Sequence, residues 1–196
     1  MAAKVASMPA TSDVPTRLAN EVTIGEALVS EAAAIALIGA TTFTAAFGYS
    51  VPADDLANFL AATYSAEVVE AEILSARENN ISTFVARDKA GVVLGFVQLV
   101  RELSDPCLEG DASSHAELRR LYVDVSTQGL GVGSKLIAAV EERAKAEGFK
   151  QLWLTVWEDN TRSQRLYERL GFVKKGDTQF ATGGCIQTDW VLSKSL

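Results

Sequence analysis

The chain has 196 residues, 48% of them hydrophobic and 22% charged, with a formal net charge of −7 at neutral pH. That length suits one domain with a substantial core, and the acidic balance speaks against nucleic acid, whose sequence-independent binding needs basic patches. No apolar run is read as reaching the ~18 residues of a bilayer span, so no membrane partner is expected.

Residues 1–19 open with MAAKVASMPATSDVPTR, which lacks the apolar stretch of a secretory signal and reads as a disordered leader. Its two basic residues, with Ser and Thr among them, leave a mitochondrial presequence open. The expected compartment is the cytoplasm, with mitochondrial and nuclear placement left open. A single domain is expected over 20–196. NEVTI (20–24) predicts a first strand, and 26–47 predicts a helix whose AAAIALIGATTFTAAF is buried. GYSVPADD is a turn, with Asp54 or Asp55 placed to cap a helix over LANFLAATY. A further helix is predicted over 66–78. STFVARD and VVLGFVQLVRE alternate around 89–91 as a hairpin. After the polar loop 104–115, ELRRLYVDV (117–125) predicts a strand. A helix over 131–147, a strand over 150–157, a short helix capped by Asn160, and two strands near 172–176 and 186–194 complete the chain. Interleaved strands and helices with hairpins at both ends imply an α/β (α+β) fold with a mixed sheet. Cys107 and Cys185, with no CxxC and no Cys/His cluster, read as two reduced thiols, and no metal is expected.

The informative stretch is STQGLGVGSKL, with glycines at 129, 131 and 133 opening a helix. Helix starts offer unpaired N–H groups and the positive end of the macrodipole, so a phosphate ligand is the first reading. A P-loop does not fit, because Lys135 follows Ser134 and not a glycine. A dinucleotide fingerprint wants a third glycine where Ser134 stands, and VWED is a poor match for its acidic ribose contact.

Gln128, Gly131 and Gly133 form Q-x-x-G-x-G after the strand LYVDV, which resembles the coenzyme A signature of the GNAT N-acetyltransferase superfamily. In VWEDNTRSQRLYERLGF, Asn160, Ser163 and Tyr167 share one helix face, and this is similar to the superfamily's N-x-x-[small]-x-x-x-Y-x-x-x-GF, with Ser163 where Ala is more usual. Further strings, TFTAAFG, LWLTVWEDN and QTDWVLSKSL, look like the PaiA-type branch, whose bacterial members acetylate spermidine and spermine.

The resemblance implies a mixed central sheet flanked by helices, with splayed strands holding acetyl-CoA as cosubstrate. It places the pantetheine along Leu121, Tyr122, Val123 and Val125, through backbone groups, the two valines also reading as core residues. The pyrophosphate falls on Gln128, Gly129, Leu130, Gly131, Val132, Gly133 and Ser134. Asn160 is expected to bond the pantetheine arm, Ser163 to keep that face small, and Tyr167 to protonate the leaving thiolate. Some members carry a basic Glu where Thr155 stands here. Three alternatives for the base stay open: Glu117 through water, Glu158, and His115 on the loop beside the strand. The acceptor side is expected around 47–55, 104–116 and 179–185, where Glu109, Asp111, Glu158 and Asp189 could meet a polyamine. Acetylation of a protein amine, of another small amine, or a non-catalytic CoA-binding role are the competing readings. Whether the chain pairs as a homodimer is not fixed by the sequence.

Overall fold

The computed structural model describes residues 22–196; the leader and the start of the predicted first strand lie outside them. The elements are β1 (Thr23–Glu26), α1 (Ala32–Phe47), α2 (Ala53–Tyr64), α3 (Ala66–Leu74), β2 (Ile81–Arg87), β3 (Val93–Arg101) and β4 (His115–Val123). They continue as α4 (Val132–Ala146), β5 (Gln151–Trp157), α5 (Thr161–Arg169), β6 (Val173–Thr182) and β7 (Cys185–Ser195). All seven strands join one sheet in the order β1-β2-β3-β4-β5-β7-β6. Every pairing is antiparallel except β4 with β5, so the sheet is mixed; β6 and β7 form a hairpin at one edge, while β1 at the other joins β2 across α1 to α3.

Two apolar layers cover this sheet. Leu136, Ile137, Val140 and Ala144, on one side of α4, pack with Leu118, Leu152, Leu154 and Leu192, as helical spacing demands. Gly148, at φ +87°, then turns the chain back toward β5. On the opposite face Ile35, Ile38 and Phe43 of α1 pack with Tyr64, Val85 and Phe96. Antiparallel β3 is buried on both faces because both layers rest on it.

Several boundaries differ from the sequence reading. Glu26 ends β1, and a 3₁₀ turn (Val29–Glu31) precedes α1. The Glu31 carboxylate fixes that turn by accepting from Leu28 N–H and the Arg87 guanidinium. The stretch Val29–Phe47, at 19 residues and mean hydropathy 1.4, is long and apolar enough to cross a bilayer by length and composition, which corrects the apolar-run count. Its Ile35, Ala36, Ile38 and Phe43 are buried against the sheet, as expected of a core helix. Asp54 and Asp55 do not cap α2: Pro52 holds that place, and Asp55 instead accepts from Gly184 N–H at 3.1 Å. The third helix stops at Leu74, where Ser75 Oγ bonds back to Ala71 O, and Asn80 at φ +56° enters β2. β4 ends at Val123, because Asp124 Oδ1 accepts from Ser126 N–H and opens a 3₁₀ turn over Val125–Thr127. Val125 is therefore off the strand and 58% exposed, not a core valine.

Candidate active site

The site begins with a defect in β4. Phe96 pairs with Tyr122 and Gln98 with Arg119, so Arg120 and Leu121 share the space opposite Val97. Arg120 adopts φ +52°, a left-handed conformation that costs a non-glycine residue about 1–2 kcal/mol. Glu72 of α3 offsets that strain by accepting from Arg120 Nη1 at 2.9 and 2.8 Å. The extra residue resets the facing: Leu118, Leu121 and Val123 all meet the α4 layer, while Tyr122 meets the α1 layer. Gly95 permits the tight approach, since a Cβ there would lie 2.7 Å from Tyr122 O.

β4 and β5 then part. They pair only over His115–Glu117 against Gln151–Trp153, so beyond this seam β4 has no ladder with β5. The glycine turn closes the mouth of the opening. Gly129 and Gly131 sit at φ +85° and +82°, and a Cβ on either would meet nothing within 4 Å. Gly131 is the N-cap of α4, and no side chain caps that helix start. Val132 is buried beneath the turn, while Leu130 is half-buried and Ser134 exposed. Gln128 spans the mouth, donating to Val123 O at 3.3 Å and accepting from Arg162 Nη1 at 3.3 Å. Across the opening Asn160 caps α5, its Oδ1 accepting from Ser163 N–H at 3.1 Å. These backbone donors, open glycine positions and an adjacent arginine suit a pyrophosphate and an extended amide chain.

Tyr167 of α5 is 7% exposed, edge-on to Phe172 and packed in the α4-side core. Burial, and secondarily the neighbouring Tyr122 phenol, push its pKa well above the ordinary phenol range. Tyr122 is itself raised by burial and by Asp189, against the lowering influence of a Tyr64 hydrogen bond and Arg120.

The remaining acid–base candidates fall out differently. Glu117, the base candidate through water, is buried at the seam, and its Oε2 accepts from Arg119 Nη2 and Nε at 2.6 and 3.0 Å. His115 is the first residue of β4, 1% exposed, which corrects its reading as a loop residue. Its Nε2 must donate to the Glu109 carbonyl at 3.1 Å, leaving Nδ1 to accept from Ser104 Oγ at 2.8 Å. Glu109, Asp111 and Glu158 are exposed.

Sequence reasoning undervalued Asp189. It lies on β7 opposite Trp157 of β5, 7% exposed, with Gln187 Nε2 donating at 3.3 Å and Thr155 one ladder step away on the same face. Burial raises its pKa, with the Glu158 charge adding to it, against the lowering influence of Gln187 and Thr155. The available signal was alternation: Asp189, Val191 and Ser193 form the buried row of β7 on one face. An aromatic wall, also unread, stands nearby, with Trp157 against Phe47 and Tyr49 at 5.4 and 6.0 Å between ring centroids.

The Acetyltransferase (GNAT) family profile matches residues 50–172. The chain belongs to the GNAT acetyltransferase family. An uncharacterised N-acetyltransferase of Lactobacillus delbrueckii is 30% identical over 159 residues, 81% of this chain and 88% of that protein. The spermine/spermidine N(1)-acetyltransferase of Bacillus subtilis is 32% identical over 73 residues, only 37% of this chain and 48% of that enzyme. Among solved structures, the PaiA N-acetyltransferase of Thermoplasma acidophilum, in complex with coenzyme A, superposes with a TM-score of 0.71 at 19% identity, over 89% of this chain and 99% of that one. As a GNAT enzyme the chain is an N-acetyltransferase, and its sheet and flanking helices are the GNAT fold.

Proposed function

We propose that this GNAT enzyme transfers acetyl from acetyl-CoA to a primary amine by direct attack on the thioester, and that it prefers a di- or polyamine. The observation that carries the reading is the seam. One side of the opening offers the uncapped start of α4 and two open glycines, and the other offers a buried carboxylate beside aromatic rings. The coenzyme A bound by the Thermoplasma neighbour and the polyamines acetylated by the partly matching Bacillus relative support the two halves of the reading.

Acetyl-CoA supplies the thioester. Strand residues 121–123 are suited to guide its pantetheine through backbone groups, and Gln128 to Ser134 to receive its pyrophosphate. Asn160, with its Oδ1 committed to Ser163, retains an amide NH₂ for the pantetheine arm. Tyr167 is the proton source for the thiolate. Transfer from an ordinary phenol, pKa ~10, to a thiolate near ~8.5 is already uphill by about 2 kcal/mol. The raised Tyr167 pKa keeps the acid protonated over the working pH range and requires its proton to move with, not before, C–S cleavage.

On the acceptor side, Trp157, Phe47 and Tyr49 suit the methylene stem of an alkylamine and the face of a cation. A distal ammonium resting on a carboxylate contributes about 1 kcal/mol when exposed, more when desolvated. Spermidine should therefore exceed butylamine in kcat/KM by roughly 5- to 10-fold at low salt. That margin should shrink at 1 M salt, where the Debye length falls to about 3 Å. Equal values at low salt reject the polyamine preference and leave the acetyltransferase family intact.

A further inference from the structure

We infer that Asp189 is the carboxylate that removes the proton from the acceptor amine, delivered from β7 to the place beside Thr155 on β5. The inference rests on the amine acceptor proposed above. Three features of placement carry it. Asp189 is buried on the acceptor face, opposite Trp157, one ladder step from Thr155 and bonded by Gln187. It shares the sheet face of Trp157, whose ring meets Phe47 of the same apolar layer that holds Tyr122 of β4, so the carboxylate and the β4 side of the opening lie on one face. The rival groups are paired or solvent-facing: Arg119 holds Glu117, both His115 nitrogens are bonded, and Glu158 is exposed.

The charged and titratable groups facing Asp189 are Glu158, from the turn after β5, and Tyr122, from β4. Among the described residues no lysine or arginine forms an ion pair with it. A buried carboxylate without a counter-cation is a stronger base than a surface one, and an incoming ammonium is the cation it lacks. Thr155 is the positioning residue of the proposal: one ladder step from Asp189 on the same face of the sheet, it can orient the carboxylate without competing for the proton.

The step balances. An alkylammonium, with pKa ~10.4, gives one N–H proton to Asp189. The freed lone pair forms the C–N bond as the C–S bond breaks, and Tyr167 protonates the sulfur. The second N–H proton lost on the way to the amide restores Tyr167 through solvent, and Asp189 releases its own to water. No oxidant or metal enters.

The test compares wild type with Asp189→Asn, Asp189→Glu and Thr155→Val, measuring kcat/KM against pH with butylamine and with spermidine. Acetyl-CoA affinity is read separately by calorimetry. The Asn variant should lose roughly 10²-fold near pH 7. Its rate should then climb about tenfold per pH unit toward the amine pKa near ~10.4, because only amine already neutral can react. Asp189→Glu should recover part of the rate and the wild-type profile, Thr155→Val should shift the profile's acidic limb, and acetyl-CoA affinity should hold throughout. A residue that merely stabilises the fold would lower the rate without changing the profile. Parallel pH profiles for wild type and Asp189→Asn overturn the inference. So does loss of spermidine preference alone with an unchanged butylamine profile, which would make Asp189 a charge-binding residue. The butylamine arm keeps the result separate from the polyamine preference, which fails only if wild type treats both amines alike.

Discussion

The proposed cofactor half and the proposed acceptor half of the site are built from different materials. The first runs through one continuous stretch, from Leu121 to Tyr167, and works through backbone: a bulged strand, two left-handed glycines and an uncapped helix start. The second is gathered from α1 and the turn after it, β5 and β7, and works through side chains: Phe47, Tyr49, Trp157 and Asp189. A phosphate ester is recognised by repeated N–H donors that any sequence supplies once its glycines allow the turn. An amine has to be recognised by charge and shape, so the residues that do it can change without disturbing the fold.

The largest effect should come from putting bulk and charge into the backbone half. Gly131→Glu forces a side chain into a left-handed position and places a carboxylate where the pyrophosphate would lie. Acetyl-CoA affinity should fall by at least about 100-fold, since strain of ~1–2 kcal/mol adds to repulsion. Unchanged calorimetric affinity in a folded variant would remove the glycine turn from the site.

Next is the acid proposed for the two halves to share. Tyr167→Phe should lower kcat by roughly 10- to 10³-fold with little change in acetyl-CoA affinity. Because the folded pKa of Tyr167 is raised, wild type should show no alkaline limb from this group at or below its ordinary value near ~10. Full activity in the Phe variant sinks the assigned role.

The acceptor half should also reveal itself through stability. The Asp189 pKa is raised on folding, so the folded chain binds its proton more tightly than the unfolded chain. Below the unfolded value near ~3.9 the group is protonated in both states and has no effect. As pH rises through that value and then the folded one, the unfolded chain ionises first and stability is lost. Asp189→Asn should therefore raise Tm at pH 7 and leave it unchanged below about pH 3.5. A Tm gain that persists equally at low pH would assign the gain to packing instead of charge.

The smallest effect sharpens the same contrast. Gln128 and Arg162 form an exposed bridge across the mouth, and such contacts contribute about 0–1 kcal/mol. Gln128→Ala should weaken acetyl-CoA by no more than about fivefold, because neighbouring N–H groups remain. A loss as large as that of Gly131→Glu would show that the half depends on side chains after all.

The same contrast explains what could be read from the residues alone. The α4 helix, its Gly148 stop, the Asn160 cap and the β2–β3 hairpin follow from short-range rules of spacing and turn chemistry, and they stand where those rules put them. The end of β4 was misjudged by two residues because Asp124 folds back on Ser126, a local bond that apolar alternation does not announce. The bulge at Arg120 was invisible, since its compensation comes from Glu72, 48 positions away. His115 and Asp189 are the clearest cases: each is a polar residue whose burial depends on strands paired across long separations. The acceptor face was legible only in separate strings, TFTAAFG, LWLTVWEDN and QTDWVLSKSL, because its parts meet only after the sheet closes.

The short β4–β5 seam also bears on how the chain folds. Strands β2, β3 and β4 pair in sequence, as do β6 and β7, while β1 joins β2 across α1 to α3 through a four-residue ladder and β5 joins β7 across β6 through a seven-residue one. Joining the two groups requires closing the loop through α4 and is rewarded by a ladder only from His115 to Glu117. Loop closure costs entropy before such contacts repay it, so this joint should be a late event in folding and an early one in unfolding. Every further residue of ladder across it would speed assembly and strengthen the sheet, while filling the space on which catalysis depends.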